Sequence, residues 1–361
     1  MRRNVPSRAR CSGPRCPGLG FLGPGFLGLL ILSVLAACAP RVVPPGEVGK
    51  PGDVPRIEST SIAVMGDGAG LPLQMWSPKD YGGGAIMAGV VALHGFGDYS
   101  NAFRELGEKL AAAGVAVYAI DQRGFGAAPD RGFWHGAERM ATDAETMVRL
   151  VKRALPGKPV YLLGESMGGA VAMLALSAPD TVADGAVLSA PAVWGRDWMP
   201  APQVWGLELL AHTMPWLPLE PRGLKIKPSD NIAMLRRLAR DPLFIRAPRA
   251  DAVHGLVSLM DAAQMAAPAL TKPVLVLYGG RDELVPRLPT CAMLRSLPGT
   301  PRRWRVAVYS EGYHMLFRDL DGARVIADIA AWSRDPAAVL PSGNERGPGA
   351  AGLDAFCAED R

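Results

Sequence analysis

Short apolar runs alternate with longer segments of helical spacing through the middle of this 361-residue chain. Within each run the apolar residues are consecutive, which predicts strands that are buried on both faces. Between the runs, apolar residues recur every three or four positions, as they do in helices that cover a sheet. The pattern therefore predicts an α/β fold with a mostly parallel sheet and helices on both faces. The predicted strands are residues 90–93, 115–120, 160–163, 185–188, 274–278 and 304–308, and the predicted helices are residues 101–113, 139–154, 170–176 and 316–332.

The segment from about residue 191 to residue 268 interrupts this alternation. It lies between two predicted strands and contains no strand-like run of its own, so we expect an insertion over the edge of the sheet. Its length without strands predicts a mainly helical cap. The segment contains four of the eight tryptophans of the chain, namely Trp194, Trp198, Trp205 and Trp216.

The first 37 residues have the layout of an export signal. Their only charged side chains are five arginines within the first 15 positions, and an apolar run follows from residue 19 to residue 37. Residues 35–38 read Leu-Ala-Ala-Cys, which resembles the lipobox of bacterial lipoproteins, where cleavage precedes the cysteine and its thiol is lipidated. The resemblance implies a signal peptide over residues 1–37 and a lipidated Cys38. An uncut apolar anchor is the alternative, because the run is long enough to span a membrane.

This layout also predicts where the protein resides. A lipidated Cys38 would anchor it to a membrane of the bacterial cell envelope, on the periplasmic side or in the outer membrane. The cysteine count agrees with this layout, because Cys11 and Cys16 would leave with the signal. Cys291 and Cys357 would then remain, and the sequence leaves open whether they pair.

Net charge does not indicate a nucleic-acid partner. The chain carries a formal charge of +5, and the five arginines of residues 1–37 account for all of it. The rest of the chain is therefore neutral and lacks the basic excess that nucleic-acid binding requires. The chain also lacks the Cys and His spacings of a metal site, and we expect neither a metal nor an organic cofactor.

Segments rich in proline and glycine flank the predicted domain. Residues 38–56 predict a flexible linker after Cys38. Residues 57–335 contain all the predicted strands and helices, including the cap. Residues 336–361 lack periodicity, which predicts a flexible C-terminal tail.

A candidate nucleophile follows the predicted strand at residues 160–163. Residues 164–168 read Gly-Glu-Ser-Met-Gly, and a predicted helix follows them. A Gly-x-Ser-x-Gly sequence between a strand and a helix is typical of a nucleophile elbow. The flanking glycines leave room for a sharp, strained turn, and the helix directs its amides toward developing negative charge. We therefore predict that Ser166 is the nucleophile.

A serine hydroxyl needs a base and an orienting acid, which in α/β-hydrolases follow the serine in the order acid, then histidine. His314 comes after the last predicted strand and is the predicted base. Asp282 follows the predicted strand at residues 274–278 and is the predicted acid, with Glu283 as its neighbouring alternative. The backbone amides of Met167, directly after the nucleophile, and Phe96, in the loop after the first predicted strand, are the predicted oxyanion hole.

The motifs together resemble those of the α/β-hydrolase superfamily, and more narrowly its monoacylglycerol lipase, lysophospholipase and serine aminopeptidase S33-like branch. The resemblance covers about residues 57–335, is loose in the cap, and implies the same triad and oxyanion residues. Phe125 stands where the branch usually has a histidine, and we expect Asp121 and Arg123 to brace loops. The matching motifs are His-Gly-Phe-Gly-Asp at residues 94–98, Asp-Gln-Arg-Gly-Phe-Gly at 121–126, Gly-Glu-Ser-Met-Gly-Gly at 164–169, Gly-Gly-Arg-Asp at 279–282 and Gly-Tyr-His at 312–314.

The resemblance implies a serine hydrolase that cleaves carboxylic esters through an acyl-enzyme, with monoacylglycerols or lysophospholipids as substrates. A cap rich in Trp and Met suits an acyl chain, although these residues could equally seal the cap onto the sheet. An S33-type aminopeptidase is the main alternative, but the carboxylates of the cap form no obvious pair for an amino terminus. A heme-free haloperoxidase-type activity and a non-catalytic envelope lipoprotein are further alternatives. The sequence does not define an oligomeric state.

Overall fold

The computed structural model describes residues 40–44, 54–59, 61–220, 226–299, 304–346 and 350–358. The chain divides into the units Met1–Cys38 and Ala39–Arg361, and every described residue belongs to the second unit. The predicted signal peptide and the predicted lipidation site Cys38 lie outside the described residues.

A single sheet forms the centre of the described fold. Its strand order is β1-β2-β3-β5-β4-β6-β7-β8-β9-β10, and the six strands from β5 to β9 in this order are parallel. The remaining strands pair antiparallel at the two edges. All six predicted strands lie in the parallel part, which confirms the predicted mostly parallel sheet. The strands are β1 (Arg56–Ser59), β2 (Ile62–Val64), β3 (Gly70–Trp76), β4 (Ala88–Leu93), β5 (Val115–Ile120), β6 (Val160–Glu165), β7 (Ala186–Ser189), β8 (Val274–Gly279), β9 (Trp304–Tyr309) and β10 (Glu345–Arg346).

Helices cover both faces of the sheet, as predicted. Along β4, Val91 and Leu93 contact the core on one face, whereas Val90 and Ala92 contact the core on the other. This alternation explains why every residue of β4 is buried. The α-helices of the described residues are α1 (Arg104–Ala112), α2 (Ala137–Ala154), α3 (Met167–Ser177), α4 (Ala201–Thr213), α5 (Ile232–Leu238), α6 (Ala250–Ala266), α7 (Arg287–Ser296), α8 (Gly322–Arg334) and α9 (Ala350–Ala358).

The cap forms between β7 and β8 and contains α4, α5 and α6, in agreement with the predicted helical insertion. Its longest helix, α6, packs on the main domain, because Gly255 lies directly against the Trp134 ring and leaves no space for a Cβ. The cap also contacts the loop after β4, where Ile245 N–H donates to the Gly97 carbonyl over 2.8 Å. The cap therefore rests on loops at the carboxyl edge of the sheet.

The C-terminal segment differs from the flexible tail that we predicted for residues 336–361. Arg305 on β9 donates to the carbonyls of Pro336 and Ala338, at 2.7 and 2.9 Å, and β10 pairs with β9. A disulfide joins Cys357 on α9 to Cys291 on α7, and Phe356 is fully buried. The prediction was wrong because these anchors are long-range contacts, which leave no periodicity in a segment rich in Gly and Ala.

The predicted linker over residues 38–56 is also ordered where it is described. Val42 pairs with Trp134 in a parallel bridge, and Val43 N–H donates to the Trp134 carbonyl over 2.8 Å. The guanidinium of Arg41 lies over the Phe133 ring. Residues 41–43 are therefore bound to the domain, and β1 begins at Arg56, within the segment that we predicted to be flexible. Across the described ranges, none of the helices combines the length and apolar character needed to cross a membrane.

Candidate active site

Ser166 lies at a sharp turn between β6 and α3. Its φ of 52° and ψ of −116° place it in a strained region for a residue with a side chain. The turn is possible because its neighbours are glycines. A Cβ on Gly164 would overlap the carbonyl oxygen of Gly168, and a Cβ on Gly168 would overlap the Leu93 carbonyl. The sequence Gly-x-Ser-x-Gly therefore follows from the packing of β6 against β4 and α3, and it leaves Ser166 partly exposed.

The structure brings the predicted base and acid together. His314 Nδ1 lies 2.8 Å from Asp282 Oδ2, and both side chains are buried. The other carboxylate oxygen of Asp282 accepts the amides of Leu284 and Val285, at 2.8 and 3.0 Å. The acid is therefore held on both oxygens. The alternative acid, Glu283, instead accepts the backbone amide of Lys227 in the cap.

The surroundings of His314 favour its protonated form. Burial lowers the pKa of the imidazole, but the facing charge of Asp282, its hydrogen bond and the charge of Glu165 outweigh burial, so the pKa is raised above 6.5. In the described part of the chain, no hydrogen bond joins the Ser166 hydroxyl to the His314 ring. Hydrogen bonds between nucleophile and base are often long before substrate binds and tighten in the reacting complex.

Two backbone amides beside Ser166 are available to bind an oxyanion. Met167 N–H is at the N-terminus of α3, and Phe96 N–H is in the loop after β4. Neither amide donates to another backbone or side-chain group among the described residues. Gly95 is so close to the nucleophile that a Cβ there would lie 3.5 Å from the Ser166 Cβ. Met167 directly follows Ser166, and Phe96 directly follows Gly95, so both predicted amides belong to segments close to the nucleophile; their role as an oxyanion hole stays a prediction.

His94 has a structural role in the loop after β4 (residues 94–98, hereafter the oxyanion loop), because both of its ring nitrogens are hydrogen-bonded to the backbone. Its Nε2 accepts the Gln122 amide at 2.9 Å, so Nδ1 carries the proton and donates to the Gly95 carbonyl. Burial lowers the pKa of the ring, in keeping with this neutral tautomer. The Phe125 ring packs edge-on against both His94 and Phe96, which explains an apolar residue at this position.

Asp121 and Arg123 brace loops, as expected. Arg123 donates to both carboxylate oxygens of Asp143 and of Asp67. Asp121 accepts the amides of Ser100 and Ala127, which holds the loop after β4 near the loop after β5. Within the described ranges, no group of three or more His, Cys, Asp or Glu side chains is placed to hold a metal ion.

A buried ion triad that includes Glu165, the residue directly before Ser166, was not predicted from the sequence. Arg318 donates to Asp98 Oδ2 at 2.7 Å and to Glu165 Oε2 at 2.8 Å. The sequence contained one indication of it, because a carboxylate directly before the nucleophile must be compensated by a cation if it is buried.

The described residues supply the components of serine-based hydrolysis on an α/β-hydrolase scaffold: a strained serine between a strand and a helix, a buried His314–Asp282 pair, and two backbone amides that donate to no protein group. The comparison with known sequences confirms the class. The chain belongs to the family described as serine aminopeptidase, S33, which matches residues 84–321 and so includes the complete predicted triad.

Several relatives of this chain are lipases. It is 26% identical over 284 residues to a monoacylglycerol lipase of Mycolicibacterium smegmatis, covering 75% of this chain and 95% of that protein. It is 28% identical over 267 residues to the human monoglyceride lipase, covering 71% and 84% of the two chains. Among solved structures, the monoacylglycerol lipase of Paleococcus ferrophilus matches with a TM-score of 0.61 at 25% identity, covering 73% of this chain and 98% of that one.

Proposed function

We propose that the protein hydrolyses monoacylglycerols to a free fatty acid and glycerol, through an acyl-enzyme on Ser166. The observation that carries the proposal is a strained Ser166 turn together with a buried His314–Asp282 pair, in a chain similar over 284 residues to a monoacylglycerol lipase. Lysophospholipids, which present the same acyl ester, are the second candidate substrates.

The chemistry proceeds in two steps. His314 takes the proton of Ser166 as the hydroxyl oxygen attacks the ester carbonyl, and the Phe96 and Met167 amides bind the oxyanion. The ester bond breaks, and glycerol leaves with the proton from His314. Water then gives a proton to His314 as its oxygen attacks the acyl-enzyme carbonyl. The bond between Ser166 and the acyl group breaks, His314 returns the proton to the serine oxygen, and the fatty acid leaves. The Asp282 carboxylate stabilises the imidazolium in both steps.

The cap supports a lipid substrate. Trp205 is 72% exposed and Trp216 is 57% exposed, so neither seals the cap onto the sheet. Leu209, one turn after Trp205 on the same face of α4, is also exposed. Large apolar side chains grouped on a surface are typical of sites that meet lipids or partners. Trp194, in contrast, packs against the core.

Three carboxylates of the cap argue for an ester and against the free amino terminus that an aminopeptidase binds. Asp251 pairs with Arg249, and Asp261 pairs with Arg196. Glu208 pairs with Arg196 and with His254. Each of these three acids already pairs with a cation of the cap, so its negative charge is less available to bind the α-amino group of a peptide.

The test is a comparison of purified protein and its Ser166→Ala variant on three substrates: monoolein, lysophosphatidylcholine and an aminoacyl anilide. We expect monoolein to give the highest kcat/KM and the Ser166→Ala variant to lose at least about 10⁴-fold in kcat, as nucleophile removal does in other triads. A preference for the anilide would instead support the peptidase, and a fully active Ser166→Ala variant would refute the nucleophile.

We also propose that the protein is exported and held in the cell envelope by a lipid on Cys38. The Leu-Ala-Ala-Cys sequence at residues 35–38 and the Cys291–Cys357 disulfide support the proposal, because disulfides persist in oxidising compartments. Metabolic labelling with a radioactive fatty acid tests it. Label should enter the wild-type protein and be absent from Cys38→Ser, with Cys357→Ser as a labelled control. Equal labelling of wild type and Cys38→Ser would refute the anchor.

A further inference from the structure

Arg318 is a buried cation that the triad and the oxyanion hole do not use. It follows His314 by four residues, at the end of a 3₁₀ turn formed by Leu316–Arg318, and its side chain is only 10% exposed. One terminal nitrogen donates to Asp98 and the other to Glu165, so the planar guanidinium bridges two carboxylates.

The two carboxylates lie in the two segments that carry the amides of the predicted oxyanion hole. Asp98 is two residues after Phe96, and its second oxygen accepts the Tyr99 amide at 2.9 Å, which fixes the carboxylate to the oxyanion loop. Glu165 is the last residue of β6, directly before Ser166 and two residues before Met167. Arg318 therefore connects the loop that carries one amide donor to the turn that carries the other.

We propose that Arg318 is a positioning residue that sets the distance between the Phe96 and Met167 amides through Asp98 and Glu165. The proposal goes beyond the proposed function but rests on it, because an oxyanion hole matters only if Ser166 acts on a carbonyl. The distance between the two donors is critical, since catalytic groups must be held to about 0.5 Å of the productive geometry.

The positive charge of Arg318 compensates the two buried carboxylates, in addition to holding them in place. Glu165 is buried, and among the described side chains its Oε1 is a buried oxygen without a hydrogen-bond partner. Burial raises the pKa of this carboxyl, the positive charge of Arg318 opposes the rise, and Asp98 adds to it. Without Arg318, these two buried carboxylates would lose the cation that bridges them, and we expect them to move apart or take up protons.

The cap adds to the same connection. The Arg318 carbonyl accepts a hydrogen bond from the Asn231 side chain, and Met315 N–H donates to the Pro228 carbonyl over 2.9 Å. At the other end of the same cap segment, the Tyr99 hydroxyl donates to Asp241. Residues 228–241, which include α5, thus contact both the loop that carries His314 and the loop after β4.

The first experiment measures ester hydrolysis by Arg318→Met and Arg318→Lys. Loss of one oxyanion donor costs about 10²–10³ in kcat, so misplacement of a donor that is still present should cost about 10- to 100-fold. We expect Arg318→Met to show this loss in kcat with little change in KM, because substrate binding outside the reacting carbonyl is intact. Arg318→Lys keeps the charge and should recover part of the loss. Arg324→Met, which removes an exposed arginine of α8, is the matched control and should be unchanged.

A double-mutant cycle with Asp98→Asn tests whether the effect passes through Asp98. We expect Asp98→Asn to lower kcat in the wild-type background and to have little further effect in Arg318→Met, because both remove the same contact.

Glu165→Gln, which keeps the shape of the side chain, remains informative if Arg318→Met does not fold. It should lower kcat and shift the acidic limb of the pH profile of kcat/KM to lower pH, because the carboxylate raises the pKa of His314. Asp282 and Arg318 are the other charged groups that act on His314, and both remain in this variant.

The outcomes separate this proposal from the proposed function. A wild-type protein that is folded but neither hydrolyses esters nor reacts with a phosphonate at Ser166 would refute both. An active wild type with full kcat in folded Arg318→Met and in Glu165→Gln would refute only the positioning role. Additive effects of Asp98→Asn and Arg318→Met would refute the connection through Asp98.

Discussion

The disulfide between Cys291 and Cys357 gives a prediction whose magnitude comes from the structure. The bond closes a loop over a sequence separation of 66 residues and fixes α9 against α7. In the chain-entropy description, opening a loop of this length costs about 4 kcal/mol of unfolding free energy at 25 °C. We therefore expect Cys357→Ser to lower the free energy of unfolding by about 3–5 kcal/mol.

Urea unfolding followed by tryptophan fluorescence measures this change. Cys291→Ser and the double variant Cys291→Ser/Cys357→Ser are the controls, and all three should lose similar stability because each removes the same bond. The urea dependence of the free energy should become steeper, since the unfolded chain expands when the loop opens. At 25 °C without denaturant, the activity of Cys357→Ser should stay close to wild type, because the Leu284 and Val285 amides still hold Asp282. A loss below about 1 kcal/mol, or two free thiols in the native protein, would refute the reasoning.

Three further predictions concern the site. The kcat/KM for esters should fall as the pH is lowered, with a midpoint above pH 6.5, because His314 must be neutral to accept the serine proton and its pKa is raised. A midpoint below pH 6.5 in a pH–rate profile would contradict this. Gly164→Ala should lose about 1–3 kcal/mol of stability in urea and most activity, since its Cβ would overlap the Gly168 carbonyl. The control Gly206→Ala has open space in the interior of α4, so it should keep its activity and gain up to about 1 kcal/mol of stability. Trp205→Ser should lower hydrolysis of emulsified monoolein and leave that of soluble p-nitrophenyl butyrate unchanged; equal losses on both would show that Trp205 does not act at the lipid surface.

The strands, the strained turn at Ser166 and the strand ends that carry Asp282 and His314 could be predicted because their causes are local in sequence. Strands such as β4 are buried on both faces, so their apolar residues are consecutive. The turn at Ser166 requires glycine at residues 164 and 168, and this requirement appears directly in the sequence. Asp282 and His314 each follow a buried strand, and the carboxyl ends of parallel strands meet at one edge of the sheet.

The features that escaped prediction depend on distant partners. Arg318 contacts Asp98 and Glu165 across 220 and 153 residues, and no spacing in the sequence records such a contact. The C-terminal helix was missed because its order comes from the buried Phe356 and the bond to Cys291, in a segment of low periodicity. The pairing of Cys291 with Cys357 could likewise be found only after the chain had been folded.

The most direct test of the account is labelling of the purified protein with a fluorophosphonate, followed by intact-mass analysis and peptide mapping. We predict one adduct, on Ser166, and its loss in His314→Ala, because a serine hydroxyl reacts rapidly with the phosphonate only when a base activates it. A folded protein that takes no label, or an adduct on another residue with Ser166 unmodified, would contradict the central claim that Ser166, His314 and Asp282 form a catalytic triad.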